Sequence, residues 1–324
     1  MNTSLKFRIL LLCLLLFYQP FFAQHHGTDI GYTIANDKRA QQKKLIQTSN
    51  YLPYIHPIEE AQKHYLTLQT LDSRERKKYA WMDSIVYPPA LYKNNTLLFA
   101  LTQPSYLTSS QVDYLTNAVQ FPANSSEQTR AELDYLLKLQ ESRTEEQIER
   151  VLLLAKIGYW PDANHLPTHP SYQKNLKHLF FELREVVDEN CNAKSYPHTS
   201  KLLQGVMNDM RLMEFAVKYH LLRARPYQLE PKLAPLKKIS SPSFASGHTL
   251  WAYIQAYVLG ELIPDKRKAF VNLAYEIGVS REIMGVHYPS DEEAARQLAH
   301  RMLLLMWHTD KFQDDFQKAK KEWE

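Results

Sequence analysis

The chain has 324 residues, which is enough for one large domain or two small ones. Only 8 residues are glycine, whereas Leu, Ala, Glu, Lys and Gln are plentiful, and this balance favours helices over a sheet-rich fold. The formal net charge of +4 is small and the basic residues are not clustered, which excludes the strongly basic class of nucleic-acid-binding proteins.

The N-terminus has the pattern of an export signal. Lys6 and Arg8 form a basic n-region, residues 9–17 form an apolar h-region, and Ala23 supplies the small residue before a cleavage point. The alternative is a retained anchor, but the apolar run is shorter than the roughly 20 residues that a membrane-spanning helix needs. We therefore predict cleavage before Gln24, a periplasmic or secreted location, and no stable membrane insertion of the mature chain.

Cysteine usage places a limit on how the fold is held together. Cys13 lies inside the predicted signal, so Cys191 is the single cysteine of the predicted mature chain. An internal disulfide is then impossible even in an oxidising compartment, and the core must stabilise the fold. Cys191 stands in DENCNAKS, which forms no motif, and we interpret it as a loop or packing residue.

The predicted organisation has three parts: a signal peptide at 1–23, an N-terminal extension of unclear structure at 24–105, and a helical domain at 106–324. Prolines and tyrosines interrupt any long period in the second part, as in SIVYPPALYKNN, and predict short helices and a wrapping arm. From about residue 110 the apolar residues recur with helical spacing. No segment alternates strongly as a strand does, so the predicted fold class is all-α.

The first clear helices follow in order. EQTRAELDYLLKLQESR places four residues on one apolar face: Ala131, Tyr135, Leu136 and Leu139. The next helix opens with Thr144 and Gln147 at capping-box spacing. PSYQKNLKHLFFELREVV, residues 170–187, is a further amphipathic helix.

A long helix is predicted from residue 199 to Pro226, because proline cannot donate a hydrogen bond and disfavours helix just before itself. Three more helical segments follow: TLWAYIQAYVLGELI, DKRKAFVNLAYEIGVSREIMGV and DEEAARQLAHRMLLLMWHTDKF. The last helix is predicted to open with Ser290 and Glu293 at capping-box spacing. His287 should then lie in the turn before it, and Asp291 in its first turn.

Three polar clusters are candidates for chemistry, and the first is KYHLLRARP. Lys218 and Arg225 are seven residues apart, which on one continuous helix would place both on nearly the same face. Considered alone, such a pair is typical of a solvated helix surface.

The second cluster is SPSFASGHTLWAY, where Ser246, Gly247 and His248 fall at the entry to an apolar helix. A helix start offers unpaired N–H groups and the positive end of a dipole, and glycine lets an anion approach the backbone closely. A histidine there can contact a bound oxyanion, although the same residues also fit a plain N-cap.

The third cluster is SREIMGVHYPSD. Arg281 could bind two phosphate oxygens through its guanidinium. A neutral His287 could attack phosphorus with one ring nitrogen, while Asp291 accepts the other ring N–H, fixes the tautomer and stabilises the charge that forms. The alternative is a solvated helix junction.

Together the clusters read Lys218-x6-Arg225-Pro226, Ser246-Gly247-His248 and Ser280-Arg281-x5-His287-x3-Asp291. This pattern resembles the three-part signature of the type 2 phosphatidic acid phosphatase superfamily, which also contains bacterial class A non-specific acid phosphatases and vanadium haloperoxidases. With background frequencies of roughly one in twenty per residue type, chance explains so many matches poorly. The chain departs at Ala245, where the family commonly has a proline that stiffens the loop but takes no part in the chemistry.

The chain is most similar to the class A acid phosphatases, over roughly residues 110–324, including the stretch FPANSSEQTRAELDYLLKLQESRTEEQ. The resemblance implies an all-α helical bundle with the active site at one end. It also implies an exported acid phosphatase that acts on small phosphomonoesters and requires no metal and no cofactor. A homo-oligomer is compatible with it, and no nucleic-acid partner is expected.

The resemblance also implies roles for the matched residues. Lys218, Arg225 and Arg281 would hold the phosphoryl oxygens, assisted by Ser246 and the Gly247 N–H. Three cations suit a transition state that spreads charge over equatorial oxygens, so positioning and electrostatics would do most of the catalysis.

The remaining matched residues would carry the covalent chemistry. His287 would be the nucleophile and form a phosphohistidine. His248 would protonate the leaving alkoxide and then activate water, and Asp291 would orient His287.

Other activities fit the same motifs. A vanadium-dependent haloperoxidase would hold vanadate in the same anion pocket, and a soluble phosphatase could act on lipid phosphates or diphosphates. A phosphoester-binding protein without catalysis is disfavoured, because nucleophile, acid and orienting carboxylate are all present. Compact size and the overall likeness favour phosphomonoester hydrolysis.

Overall fold

The computed structural model describes residues 67–92, 99–155, 186–188 and 190–324. All of them belong to one compact unit, Thr48–Glu324. The predicted export signal, and nearly all of the helix predicted over 170–187, lie outside the described residues.

The described part of the chain is helical apart from turns, loops and one isolated bridge between Val86 and Arg223. The α-helices that lie wholly within it are α1 Ser109–Asn117, α2 Glu127–Ser142, α3 Glu145–Leu154, α4 Pro197–Leu221, α5 Pro226–Leu229, α6 Gly247–Leu262, α7 Arg267–Ile283, α8 Pro289–Met306 and α9 Asp310–Lys320. Short 3-10 helices cover Lys77–Ser84, Pro89–Leu91 and Pro264–Lys266. The all-α prediction is confirmed for these residues.

Helix α6 is the centre of the fold. It is apolar on all sides, as GHTLWAYIQAYVLGEL shows, and a helix of that kind is stable only when other elements surround it. Helices α4, α7 and α8 all pack against it. The start of α6, which carries the Ser246–Gly247–His248 motif, is therefore enclosed by the other helices that carry predicted site residues. Within the described residues, no helix is both long and apolar enough to cross a membrane.

The capping box predicted for α3 is confirmed. The Thr144 hydroxyl accepts a hydrogen bond from the Gln147 N–H at 3.2 Å, and the Gln147 side-chain oxygen accepts one from the Thr144 N–H at 3.0 Å. These two bonds satisfy backbone donors that have no partner within the helix, so α3 begins where the sequence places it.

The buried face of α2 differs from the predicted one. Of the four residues predicted to share the apolar face, only Leu136 is fully buried. The buried stripe is instead Gln128, Thr129, Glu132, Leu133 and Leu136. The predicted face is confirmed in part, because Tyr135 and Leu139 also pack, partly buried, against the cluster that contains Leu133 and Leu136. The prediction missed that α2 also turns the Glu132 carboxylate inwards, where other polar groups bind it.

The end of α4 also corrects the sequence analysis. The helix ends at Leu221, because Leu222 adopts a left-handed conformation with φ 53° and donates its N–H to the Lys218 carbonyl at 2.9 Å. Pro226 does not stop this helix but begins α5, at the first helical position, where the missing N–H is not needed. Arg225 lies in extended backbone between the two helices. The prediction that it shares a helical face with Lys218 is therefore wrong.

The start of α8 lies one residue before the predicted cap. Tyr288 is the N-cap residue and Pro289 the first helical residue, so the predicted capping by Ser290 and Glu293 is wrong. The Asp291 carboxylate accepts the Tyr288 N–H at 3.1 Å and so performs the capping itself. His287 lies in the turn before the helix and Asp291 in its first turn, as predicted.

Part of the predicted N-terminal extension packs against the helical domain. The Tyr87 N–H donates to the Leu222 carbonyl at 2.9 Å, next to the bridge between Val86 and Arg223. The Asn124 side chain donates to two carbonyls of the same segment, those of Met82 and Ile85. The described part of 24–105 thus supports the loop between α4 and α5, while the boundary at residue 105 stays a prediction.

Candidate active site

The predicted site residues lie together where the start of α6 contacts the end of α4, the end of α7 and the start of α8. The Ser246 N–H donates to the Asp291 carbonyl at 3.2 Å, which joins α6 to α8. The Lys218 ammonium donates to the Ala245 carbonyl at 2.7 Å, which joins α4 to the same loop. Residues that are far apart in the sequence therefore form one polar region inside an apolar bundle.

Lys218 is a buried cation held by backbone oxygens. Its ammonium donates to the carbonyls of Pro242 at 2.9 Å, Ser243 at 3.0 Å and Ala245 at 2.7 Å. The nearest carboxylate oxygen, from Glu214, is 4.0 Å away. Burial, followed by the positive charge of Arg225, lowers the pKa of Lys218 to about 7. A bound anion would favour the charged form of this side chain.

Arg225 is fully buried and reaches the His287 ring. Its guanidinium donates to backbone and hydroxyl oxygens, namely the Ser241 carbonyl at 2.9 Å, the Pro242 carbonyl at 3.0 Å, the Val286 carbonyl at 2.9 Å and the Ser241 hydroxyl at 3.1 Å. Its Nη1 also lies 2.9 Å from His287 Nε2. Burial lowers the pKa of Arg225, but a guanidinium remains charged at any pH a protein tolerates.

Arg281, near the end of α7, is the least satisfied cation of the three. It is buried, one terminal nitrogen contacts the Met284 sulfur, and its Nε has no hydrogen-bond partner among the described residues. Burial lowers its pKa to about 10. A buried donor without an acceptor is costly, so this guanidinium is suited to receive an anion.

His287 has two different neighbours, and they define its tautomer. Its Nδ1 lies 3.0 Å from the Asp291 carboxylate, which only accepts hydrogen bonds, so Nδ1 carries the proton. Its Nε2 faces the Arg225 guanidinium, which only donates, so Nε2 carries a lone pair. Burial, followed by the charge of Arg225, holds the pKa of His287 well below its usual value, and the ring is neutral.

Asp291 is a fully buried carboxylate with every oxygen engaged. Besides His287, its Oδ2 accepts from the Ser243 hydroxyl at 2.6 Å and the Tyr288 N–H, while Oδ1 accepts from Arg223 at 2.7 Å. Burial alone would raise the pKa of Asp291, but the charge of Arg223 and the hydrogen bonds from His287 and Ser243 hold it well below the usual range. The Asp291 carboxylate is therefore negatively charged at every pH above its lowered pKa, including neutral and mildly acidic pH.

The start of α6 is closely packed around Gly247. Ser246 is the N-cap residue, and its hydroxyl bonds to Thr249 at 3.1 Å. A Cβ atom at Gly247 would overlap a carboxylate oxygen of Glu214. The predicted reason for the glycine was close approach of a bound anion. The structure adds a second reason, because the Glu214 side chain itself occupies this space.

His248 is the second residue of α6 and is partly exposed. Its Nε2 lies 3.4 Å from the Ala155 carbonyl at the end of α3. Burial, followed by the positive charge of Arg281, holds the pKa of His248 well below its usual value. The ring is neutral without substrate, and the negative charge of a bound phosphate would favour its protonation.

Two buried residues of this region were missed by the sequence analysis. Arg223 stands in the KYHLLRARP segment and was given no role, although it binds Asp291 directly. Glu132 contacts Arg223 and Ser290 from α2. The available signal was spacing, since Thr129, Glu132, Leu133 and Leu136 repeat at helical intervals on the inward face.

Comparisons with known proteins agree with the motif. The family model described as "PAP2 superfamily" matches residues 200–314, a range that contains every predicted site residue. The non-specific acid phosphatase of Providencia stuartii is 33% identical over 135 residues, covering 40% of this chain and 54% of that protein. The non-specific acid phosphatase of Salmonella typhi is 30% identical over 158 residues, covering 46% of this chain and 61% of that protein.

A solved structure also matches, that of a transmembrane PAP2 type phosphatidylglycerolphosphate phosphatase from Bacillus subtilis. It has 22% sequence identity and a TM-score of 0.40, and the match covers 68% of this chain and 97% of that one. The chain spans only 54% and 61% of the two curated relatives described above.

Proposed function

We propose that this chain, which carries a PAP2 superfamily domain over residues 200–314, hydrolyses phosphomonoesters through a phosphohistidine on His287 and without a metal ion. The observation that carries the proposal is the neutral His287 ring, bound through Nδ1 to Asp291 with its Nε2 lone pair facing Arg225. The relatives named non-specific acid phosphatase support the substrate class.

The substrate phosphoryl group would bind among Lys218, Arg225 and Arg281. Each of these is buried, and the first two donate hydrogen bonds to backbone, hydroxyl or imidazole atoms. Donors fixed in advance around the developing charge stabilise a phosphoryl-transfer transition state without reorganisation. N–H groups at the start of α6 would add to this field.

In the first half-reaction, Nε2 of His287 forms a bond to phosphorus while the bond from phosphorus to the leaving oxygen breaks. The ring becomes positively charged, and the Asp291 carboxylate at Nδ1 stabilises that charge. His248 donates a proton to the leaving oxygen, so that a neutral alcohol departs.

In the second half-reaction, His248 is neutral and takes a proton from a water molecule, whose oxygen attacks phosphorus. The phosphorus–nitrogen bond breaks, its electron pair returns to Nε2, and inorganic phosphate leaves. His287 is thereby restored to the tautomer that Asp291 fixes.

The covalent step is tested by rapid quench of the purified protein with radiolabelled substrate, followed by alkaline isolation, in which phosphohistidine survives. Wild type and the exposed-residue control His220→Ala should retain label, and His287→Ala should retain none. Label in His287→Ala as strong as in wild type would exclude this nucleophile.

Activity class and metal independence need separate assays. We expect hydrolysis of p-nitrophenyl phosphate that survives EDTA and is inhibited by vanadate, because three protein cations supply the electrostatics. Halide oxidation after addition of vanadate, without hydrolysis, would instead indicate a haloperoxidase. A panel of nucleotides, diphosphates and lipid phosphates would define the substrate range.

We also propose that the mature protein is exported and is periplasmic or secreted. The support is the basic, apolar and small-residue pattern that ends at Ala23. N-terminal sequencing of exported material should find Gln24 or a close neighbour. A retained apolar segment in the membrane fraction would contradict this.

A further inference from the structure

We propose that Glu132 is a positioning residue for the reaction, which acts through Arg223 and Ser290 to hold Asp291 and to keep its negative charge available to His287. The inference rests on the proposed function, because it concerns the same site. It adds a contribution from α2, which lies outside the matched range 200–314 and outside the three motifs.

Glu132 is fully buried and binds the start of α8 through both oxygens. Its Oε1 accepts the Ser290 N–H at 3.1 Å, and its Oε2 accepts the Ser290 hydroxyl at 2.8 Å. Gln128 donates to Oε1 at 3.3 Å from the preceding turn of α2. This carboxylate therefore fixes the residue immediately before Asp291 in both backbone and side chain.

Arg223 connects Glu132 to Asp291. One terminal nitrogen donates to Asp291 Oδ1 at 2.7 Å and to the Ser290 hydroxyl oxygen at 2.8 Å, and the other lies 3.4 Å from Glu132 Oε2. The guanidinium carbon lies 3.8 Å from the centre of the Tyr288 ring. The hydrogen bonds and the contact with the aromatic ring together restrict the Arg223 side chain to one conformation.

Arg223 also reaches the second oxygen of Asp291 through the backbone. Its carbonyl accepts the Ser243 N–H at 2.9 Å, and the Ser243 hydroxyl donates to Asp291 Oδ2, the oxygen that binds His287. We call Glu132, Arg223, Ser290 and Asp291 the orienting cluster. Together with the Ser243 hydroxyl, it fixes both oxygens of the Asp291 carboxylate, of which Oδ2 binds His287.

The charges of the orienting cluster explain why a second carboxylate is needed. A single pair of Arg223 and Asp291 would be neutral and would leave little charge to stabilise the positive ring that forms on His287. Burial raises the pKa of Glu132, and the charge of Arg223 opposes that shift. When Glu132 is ionised, it gives Arg223 a second negative partner, and the three groups together carry one net negative charge. That charge matches the one that develops on the ring during the attack.

Stability alone explains this arrangement poorly. Removing charges from water costs several kcal/mol per ion, and replacing a buried ionic cluster with apolar residues is often neutral or stabilising. All three charged side chains are buried without exposed surface. The orienting cluster lies beside the proposed nucleophile, where its charge can stabilise the positive ring that forms on His287.

The test compares steady-state kinetics of wild type, Glu132→Gln and the control Glu127→Gln, an exposed glutamate at the start of the same helix. Glu132→Gln keeps the shape but removes the charge. We expect its kcat to fall about tenfold with KM within about twofold, as for residues coupled in one network, and we expect no change in the control. Active sites are counted by the amplitude of trapped phosphohistidine, so a smaller folded fraction does not imitate the effect.

A double-mutant cycle separates positioning from general stabilisation. If Glu132 acts through Asp291, the double variant with Asp291→Asn should turn over no more slowly than Asp291→Asn alone. Losses that multiply in the double variant, or an unchanged kcat in Glu132→Gln, would overturn the proposal. If Glu132→Gln does not fold, Glu132→Asp is measured by the same cycle and the same criterion.

The nucleophile itself supplies a readout that does not depend on turnover. The Nδ1 proton of His287, observed by NMR in protein with labelled histidine, should shift in Glu132→Gln and not in Glu127→Gln. An unchanged resonance would overturn the positioning role even if the wild type hydrolyses phosphoesters. If the resonance shifts in Glu132→Gln but the wild type has no phosphatase activity, the proposed function is rejected and the coupling between Glu132 and His287 stands.

Discussion

The two sides of the His287 ring are built in opposite ways. Arg225 contacts Nε2, and we use the term Nε2 side for it and for the other residues predicted to contact the phosphoryl or leaving group. There Lys218 and Arg225 donate mainly to backbone carbonyls, and one donor of Arg281 has no acceptor among the described residues. On the Nδ1 side, every charged group of the orienting cluster is bound to a group of opposite charge. The first side has positive charge that an incoming anion can satisfy. On the second side the charges of Arg223, Glu132 and Asp291 are already paired, and only the Nε of Arg223 has no hydrogen-bond partner among the described residues.

This contrast predicts that substitutions on the two sides will fail differently. Changes on the Nε2 side should alter binding of phosphate and the response to the leaving group. Changes on the Nδ1 side should lower turnover and leave phosphate binding intact.

The largest expected effect is that of His248→Ala on the Nε2 side. A general acid contributes about 10²–10⁴-fold, in proportion to the basicity of the oxygen that it protonates. The first half-reaction should therefore slow far more for alkyl phosphates than for p-nitrophenyl phosphate, whose leaving group needs little help. Equal losses for both substrates in rapid-quench experiments would contradict the role.

On the Nδ1 side, Asp291→Asn should lower kcat on the order of 10²-fold, because an amide can stabilise neither the tautomer nor the positive ring. Inorganic phosphate should still raise the melting temperature of this variant as much as that of wild type, since the three cations are intact. Thermal shifts measured with and without phosphate check the second expectation. A variant that no longer responds to phosphate would remove the distinction between the two sides.

Arg281→Lys should be a smaller but clear defect, of about tenfold in kcat/KM, because an ammonium cannot present two parallel donors to a phosphoryl group. The matched control is Arg296→Lys, a buried arginine on α8 that is paired with Glu293. Phosphate should stabilise the Arg281 variant less than the control. Kinetics equal to wild type in a folded Arg281→Lys protein would exclude Arg281 from the site.

The smallest effect concerns stability and pH. The folded-state pKa of His287 lies well below the unfolded value of about 6.5, so the unfolded chain binds more protons as the pH falls through 6.5. Without phosphate, the free energy of unfolding should decrease there by at most about 1.4 kcal/mol per pH unit for this imidazole. Denaturant titrations should show that the free energy of unfolding depends less steeply on pH in His287→Gln than in wild type. An equally steep pH dependence in the variant would contradict a buried neutral ring.

Much of this architecture could be predicted from sequence because it depends on local rules. The apolar run of α6, the capping box of α3, and the places of His287 and Asp291 before and within α8 follow from spacing and are confirmed. The motif also predicted the likeness to the superfamily whose model matches residues 200–314.

The errors arose where tertiary contacts override local preference. The end of α4 depends on Leu222 in a left-handed conformation, which leucine rarely adopts. No glycine or asparagine stands at this position to indicate it. Arg225 reaches the site from extended backbone because α4 ends before it. Glu132 was missed because a carboxylate on an inward face is favourable only when residues of distant elements bind it. The spacing of apolar residues along one helix does not identify such partners.

The close contact between Glu214 and Gly247 has a consequence for how this protein can change by mutation. A methyl group at position 247 would overlap the Glu214 carboxylate, whereas a short residue at position 214 would leave room for it. A side chain at position 247 therefore requires the Glu214 carboxylate to move, and a shorter residue at position 214 removes that requirement. We expect Gly247→Ala to destabilise the protein less when Glu214 is also replaced by Ala than when it is kept.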